Sequence, residues 1–436
     1  MPDVIVVGGG LAGCWAAATA ASAGARVTLV RRALGATAVS AGPLDFVPPA
    51  EAGDPAGWLA RLQRIDPHHP YVAGGVAPTL DELEAEAERL AAALAGAGLA
   101  LQVSLLAPML LAGITGQARL AGVAPQAQAR GDLGRLTGRV VAVAGIAGLA
   151  RFDPGAVAAA LDERRLGWPA PLRAVAVSLS PELPGLAPDV VADLDDATLA
   201  RALEAPGGAE ALGAAIAGTL RPGSAELVLL PAVLGVVDHA DVVERVTTTA
   251  GVAVAELLTS PPSAPGWRLQ QACTRLAASA PRVSLVPRAV SAVRVDGDRV
   301  SGVELDGGEV LSCDALVLAT GKYLGGGVVA DPRPREPLLG LPLFSQGVPV
   351  ERLAMRDLVE RARFRDQPFV SLGLRTDADG RPVDEHGRAP LANLVACGDV
   401  LAGLDPALSG GGLGVVAWTA ARAARTAAAQ AGLVGA

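Results

Sequence analysis

The chain reads as an α/β protein with a doubly wound domain into which a second α/β domain is inserted. Three observations carry that reading. A strand–turn–helix–strand unit opens the chain, with Gly8, Gly10 and Gly13 in G-x-G-x-x-G spacing. An apolar strand near the other end stops at Cys397-Gly398-Asp399, before a glycine run and an Ala-rich helix. Between 138 and 258, strand and helix patterns alternate. Such alternation predicts its own sheet, so we expect 1–137 and 259–436 to form one domain and 138–258 the insert.

Val4 to Val7 is a short run of β-branched residues, the pattern of a strand buried on both faces. An Ala-rich helix follows from about Leu11 to Ala23, Gly24 breaks it, and Arg26 to Val30 is a second apolar strand. In such a unit Gly8 permits the tight turn, Gly10 lets a pyrophosphate approach the backbone, and Gly13 lets helix and strand pack closely. The first helical N–H groups, from Leu11 and Ala12 onward, lack intrahelical partners, and the helix dipole adds positive charge. A phosphate or diphosphate is therefore stabilised there.

One position departs from the dinucleotide pattern. The second strand ordinarily ends in Asp or Glu, which accepts from ribose hydroxyls. Here Arg31 and Arg32 follow Val30. A guanidinium accepts no hydrogen bond but pairs well with phosphate. The stretch thus points to a phosphate-bearing ligand more firmly than to an adenosine in the usual pose.

Composition narrows the class. At 436 residues and 51% hydrophobic content, the chain is long enough for two domains and is not a disordered one. A net charge of −8 without a basic block argues against nucleic acid. Lys322 is the only lysine among 36 Lys and Arg residues, a bias we attribute to genome composition. Cys14, Cys273, Cys313 and Cys397 are far apart, which disfavours a disulfide framework, structural zinc or a cluster held by this chain, and predicts buried thiols. His68 and His69 read as loop residues. We expect no cleavable leader, because its removal would take the glycine motif with it. Leu90 to Ile114 is uncharged and long enough to span a membrane. Gly96, Gly98 and Pro108 interrupt it, so we expect a helix to about Ala97 and a buried strand near Leu99 to Ser104.

Beyond the first unit, Gly35 to Val47 is lean in side chains, and Ser40, Ala41 and Gly42 could let a flat ligand lie on backbone; an ordinary loop is the alternative. Asp54 to Tyr71 predicts a short helix and a Pro/His loop. In the insert we expect strands at Arg139–Ala144, Arg173–Leu179, Glu226–Pro231 and Gly251–Leu257. Helices are expected near Pro154–Arg165, Asp196–Leu220 and His239–Thr249. Gly145 to Gly148 resembles a phosphate loop, but a tight turn is the preferred reading. Val283–Val286, Val290–Val295, Arg299–Leu305 and Glu309–Leu311 predict a meander with Gly-containing turns. It leads into the strand Ala315–Ala319, stopping at Thr320-Gly321, with Gly325 to Gly327 beyond.

A doubly wound sheet binds ligands outside the carboxyl ends of its strands. Thr320 and Gly321 are predicted there, and so are Gly398 and Asp399, whose carboxylate can accept from sugar or ribityl hydroxyls. Gly411, Gly412 and Leu413 open the last helix with bare N–H groups, suited to the negative charge of a reduced flavin ring.

These motifs together resemble flavoproteins of the glutathione-reductase type. Ser40–Asp45, Pro67–Tyr71 (PHHPY), Val143–Leu149, Leu230–Ala232 with Gly235, and Arg335–Leu341 (REPLLGL) resemble, in order along nearly the whole chain, the B subunit of the bacterial anaerobic glycerol-3-phosphate dehydrogenase. The resemblance implies a flavin, described in that family as FMN, with FAD the alternative. It implies two partners, an FAD-containing catalytic A subunit with which this chain pairs and a membrane-associated iron–sulfur C subunit on which it docks. Together these oxidise sn-glycerol 3-phosphate to dihydroxyacetone phosphate and pass electrons to quinone. The implied location is cytoplasmic, peripheral at the inner face of the membrane. Arg31 agrees with FMN, which has no adenosine ribose. Gly8, Gly10, Gly13, Arg31 and Arg32 are then assigned to phosphate, and Ser40, Gly42, Thr320 and Gly321 to the cofactor wall. Arg335 is a candidate anchor for a phosphorylated substrate, and no catalytic acid or base can be named. Lys322 departs from the family, where a small polar residue is expected; a phosphate or flavin N1 partner and a solvated surface lysine both remain open. Two other readings are a stand-alone FAD oxidoreductase acting on a small organic acid or amine, and a non-catalytic assembly protein that has lost its flavin.

Overall fold

Five parallel strands in the order β3-β2-β1-β4-β5 position the candidate site: β1 (Asp3–Val7), β2 (Arg26–Val30), β3 (Val283–Val286), β4 (Ala315–Leu318) and β5 (Leu394–Ala396). The computed structural model describes residues 3–72, 75, 77–136, 140–162, 172–186, 194–260, 263–362, 367–405 and 412–432. Val4 to Val7 pair with Ala315 to Leu318 on one side and with Val27 to Val30 on the other. The strand order therefore reverses between β1 and β4, and their carboxyl ends flank the crevice where doubly wound sheets take ligands.

The chain forms two compact units. Met1–Thr37, Leu44–Gly98 and Gln270–Ala436 make the first; Ala38–Pro43 and Leu99–Leu269 make the second. In the first, helix α1 (Leu11–Ser22) is buried along nearly its whole length and packs against the last helix, α2 (Leu413–Gln430). Alanine permits that close approach. Trp15 Nε1 donates to Oε1 of buried Glu86 at 2.7 Å, tying α1 to the helix Leu80–Gly96. Thr79 and Glu82 close a capping box at that helix's start.

Val283–Val286 is not part of the meander expected from sequence. It pairs in parallel with β2 as the edge of the main sheet. The antiparallel sheet holds only Val290–Asp296, Arg299–Leu305 and Val310–Ser312. Asn393 ties it to the main sheet: Oδ1 accepts from Val300 N–H at 2.7 Å and Nδ2 donates to the Val300 and Asp314 carbonyls.

The second unit carries a parallel sheet in the order Ala253–Glu256, Leu227–Leu230, Val140–Ile146, Arg173–Leu179. Apart from Ala38–Pro43, the unit runs from 99 to 269, whereas the sequence places the insert at 138–258. The antiparallel pair Met109–Ala112 and Ala118–Ala121 joins this sheet's periphery: Leu258 N–H donates to Ala112 O and Ile114 N–H to Leu258 O, both at 2.9 Å. The expected helix 196–220 is two helices, Asp196–Glu204 and Gly208–Thr219, parted where Gly207 takes φ +85° after Pro206. The strand near 99–104 is Leu101–Val103, half-buried rather than buried, because it pairs only with Val123–Pro125. Gly145–Gly148 forms a turn whose N–H groups are used internally, Ala147 to Leu179 O and Leu149 to Ile146 O. No helix among the described residues is long and apolar enough to cross a membrane.

Candidate functional site

The crevice starts at the end of β1. Gly8 takes φ +138°, and its N–H donates to Val30 O at 2.9 Å. A Cβ there would stand 2.0 Å from Ala319 O, and a Cβ on Gly13 would stand 1.9 Å from Gly8 O. Strand, turn and helix therefore close on one another only with glycine at both places. Gly10 is the N-cap of α1 and has more room: a Cβ there would stand 3.3 Å from Thr37 Oγ1 and 3.4 Å from Gly35 Cα.

Sequence reasoning missed what lies beside that helix start. Leu11 N–H, the first donor, is taken by Thr37 Oγ1 at 2.9 Å. Gln270 pins the same loop: Oε1 accepts from Gly35 N–H at 3.1 Å and Nε2 donates to Gly9 O at 2.8 Å. Arg31 lays its stem against Gly9 and donates from Nη1 to Thr274 Oγ1 at 3.0 Å. Arg32 is exposed at the same strand end. A hydroxyl 26 residues from its partner carries no local signal, so Thr37 was legible only as one small residue among several.

The other wall is built by β4 and β5. After β4, Gly321 turns at φ +68°. Gly325 and Gly327 fold back so tightly that a Cβ on either would meet the Thr320 or Gly321 carbonyl at 2.0 Å. These glycines thus serve close approach within the chain's own backbone. After β5, Gly398 turns at φ +78°, its N–H donates to Thr419 Oγ1 at 3.0 Å, and a Cβ would stand 2.7 Å from Ala12 Cβ. This glycine thus brings the turn after β5 against the start of α1.

Two buried oxygens at these strand ends, Thr320 Oγ1 and Asp399 Oδ1, have no hydrogen-bond partner. Lys322 is buried, not solvated. Its Nζ donates to Val370 O and to Leu404 O (3.1 Å) and stands 3.6 Å from Asp399 Oδ1. Burial pushes the Asp399 carboxyl up and the Lys322 ammonium down, and each charge opposes the other's shift.

Gly412 caps α2 in the left-handed region at φ +60°, and Leu413 begins the helix, buried. Gly411 lies outside the described residues. Arg335 is exposed in a two-residue strand paired with Val329, while the neighbouring Glu336 is buried and accepts from the N–H groups of Leu338 and Leu339. REPLLGL is therefore a turn built around a carboxylate. In PHHPY, His69 is buried between Trp58 and Tyr71, with ring centroids at 5.7 and 4.9 Å. Ser40 and Gly42 belong to the second unit. There Gly42 turns at φ +111° against Gln128, whose Nε2 donates to Ala41 O at 2.9 Å, and Ser40 Oγ is buried without a partner.

The donor and acceptor set of the first unit fits a flavin. Buried polar atoms left unpaired at the edge of a sheet call for a polar ligand, and a polyol chain supplies the hydroxyls that Asp399 and Thr320 can engage. Sheet order and strand-edge site together define a flavin-binding protein of the doubly wound class. Residues 3–415 match the FAD binding domain family. The B subunit of the anaerobic glycerol-3-phosphate dehydrogenase of Yersinia enterocolitica is 30% identical over 424 residues, 95% of each chain. The B subunit of the probable anaerobic glycerol-3-phosphate dehydrogenase of Halobacterium salinarum is 31% identical over 441 residues, 98% of each. Among solved structures, the 3-ketosteroid delta1-dehydrogenase of Sterolibacterium denitrificans is 13% identical, with 98% of this chain and 99% of that one covered at a TM-score of 0.45. The chain belongs to the FAD-binding-domain flavoproteins and, within them, to the family of anaerobic glycerol-3-phosphate dehydrogenase B subunits.

Proposed function

We propose that this chain is the flavin-dependent redox subunit of an anaerobic sn-glycerol-3-phosphate:quinone oxidoreductase. The observation that carries the site assignment is the pair of buried oxygens that make no hydrogen bond, Thr320 Oγ1 and Asp399 Oδ1, just beyond the ends of two paired strands. Similarity across 95% of the Yersinia relative supports the substrate class. A bound flavin accepts two electrons and can pass them on singly. The chain's own residues bind and orient it. Gly8, Gly10 and Gly13, with the N–H of Ala12 and, once a phosphate displaces Thr37 Oγ1, that of Leu11, serve the phosphate end, and Arg31 and Arg32 add positive charge there. Thr320, Gly321, Gly398 and Asp399 hold the polyol chain, and the start of α2 at Gly412 and Leu413 faces the ring. Arg335 is the candidate anchor for substrate phosphate.

FMN is the flavin we favour, because Arg31 stands where an adenosine ribose would need an acceptor. The proposed partners are an FAD-containing A subunit and an iron–sulfur C subunit that brings the assembly to the inner face of the membrane. The absorption spectrum of the purified chain, with mass identification of the released cofactor, tests the reading. FMN and dye reduction by glycerol 3-phosphate in the co-expressed complex are expected. A chain that takes up neither FMN nor FAD would overturn it in favour of a non-catalytic assembly protein, which the occupied Leu11 N–H would then explain.

A further inference from the structure

Lys322 is the one lysine in a chain whose other strong cations are all arginine. It is buried to 4% exposure beside the carboxylate of the candidate site. Its ammonium donates to two carbonyls, of Val370 and of Leu404 (3.1 Å), and stands at ion-pair distance, 3.6 Å, from Asp399 Oδ1. A compact ammonium fits among these oxygens. A planar guanidinium, with five donors in a fixed fork, would leave N–H groups buried and unpaired. Geometry therefore accounts for lysine at a position where this chain's composition favours arginine.

These oxygens come from two segments. Val370 lies in the short helix Pro368–Ser371, and Asp399 and Leu404 lie in and just after the turn Gly398–Val400 that follows β5. That turn is also sewn to the 371–374 segment, with Ala402 N–H donating to Leu374 O and Gly403 N–H to Ser371 O. The backbone bonds already hold the turn, so the ammonium's distinct contribution falls on Asp399. The Asp399 carboxylate is part-buried, with Oδ1 enclosed, and without an opposite charge beside it burial disfavours its ionised, fully accepting form.

We propose that Lys322 is a positioning residue that holds Asp399 ionised and aimed as the acceptor for a hydroxyl of the flavin's polyol chain. This rests on the flavin reading above. Riboflavin carries the polyol chain and lumiflavin lacks it, so the pair isolates the Asp399 contact. Fluorescence titration of the full chain should show Lys322→Met weakening riboflavin at least tenfold while lumiflavin changes less than twofold. The double variant Lys322→Met/Asp399→Asn should bind riboflavin no more weakly than Asp399→Asn alone. Equal losses for both ligands, or additive losses in the double variant, would overturn the proposal while leaving the flavin reading intact. A wild-type chain that binds neither ligand would overturn both. A second measurement needs neither the methionine variant nor a flavin. Reductive methylation read by mass spectrometry can modify only Lys322 and the N-terminus. We expect Asp399→Asn to speed labelling of Lys322 at least tenfold with the N-terminal rate unchanged; an unchanged Lys322 rate would show that the two side chains are uncoupled.

Discussion

Arg268 and Glu256 form a two-point ion pair inside the second unit, Nη1 to Oε2 at 2.6 Å and Nη2 to Oε1 at 2.8 Å, with side chains 2% and 0% exposed. Glu256 Oε1 also accepts from Leu234 N–H, and Arg268 Nε donates to Gly235 O. The pair thus joins the end of one strand to the loop after its neighbour. Removing one partner strands a buried charge. We expect Arg268→Met to cost about 3–5 kcal/mol, whereas Arg268→Met with Glu256→Gln should recover most of that loss. Urea unfolding followed by circular dichroism measures both. Equal destabilisation by the single and double variants would mean that packing of the arginine stem, not its charge, dominates.

Thr37 and Leu11 give a second prediction. The hydroxyl satisfies the first orphan donor of α1. We expect Thr37→Val to lower the stability of the flavin-free chain by about 1 kcal/mol. If the phosphate of FMN takes Leu11 N–H when bound, added FMN should abolish the difference in melting temperature. A tenfold weakening of FMN binding would instead place the hydroxyl itself on the ligand.

Local pattern made the first unit of the fold readable. β1, α1 and β2 are each specified by their own residues, and glycine spacing marks the turns between them. Val283–Val286 shows where such reading stops. Its apolar run is as compatible with the antiparallel meander as with the main sheet, and only its pairing with Val27–Val30 decides. The unit boundary at 99 depends likewise on backbone bonds between Ala112, Ile114 and Leu258, which no composition change announces. Within the site, Gly8, Gly13 and Gly398 were legible because a missing side chain leaves a spacing. Thr37, Gln270 and the burial of Lys322 were not, because their partners arrive from distant segments.

Gly10 and Gly13 separate ligand space from packing space. A methyl on Gly13 would enter Gly8 O at 1.9 Å, so Gly13→Ala should shift backbone and destabilise the first unit by more than about 1 kcal/mol. Gly10 has an extended backbone, φ −84°, and its nearest neighbours would lie at 3.3 and 3.4 Å. Gly10→Ala should therefore melt within about 2 °C of the parent, since a few tenths of a kcal/mol shift a domain of this size by little. It should nonetheless lose at least tenfold in FMN affinity if phosphate lies against that backbone. Unchanged affinity in Gly10→Ala would remove Gly10 from the phosphate site.

His69 sets an acid limit on stability. Its Nδ1 accepts from Tyr71 N–H at 3.2 Å, Tyr71 OH donates to Phe46 O at 2.9 Å, and Phe46 backbone crosses the start of α2 at Gly414. Burial pushes the imidazole down to about 4. In the unfolded chain the imidazole titrates near its ordinary 6.5, so between pH 6.5 and 4 the unfolded state binds more protons than the folded one. Stability then rises with pH across that window. The His69 contribution is complete above about pH 6.5, declines as pH falls, and levels off below about 4, with a total change of about 3 kcal/mol. His69→Gln keeps an acceptor without a titrating base. We expect its unfolding free energy to fall by about 3 kcal/mol less than the parent's between about pH 7 and pH 4, by urea denaturation at each pH. Parallel curves for parent and variant would mean that His69 does not set the acid limb; Asp66 cannot supply it, because burial pushes that carboxyl up and so favours the folded chain as pH falls.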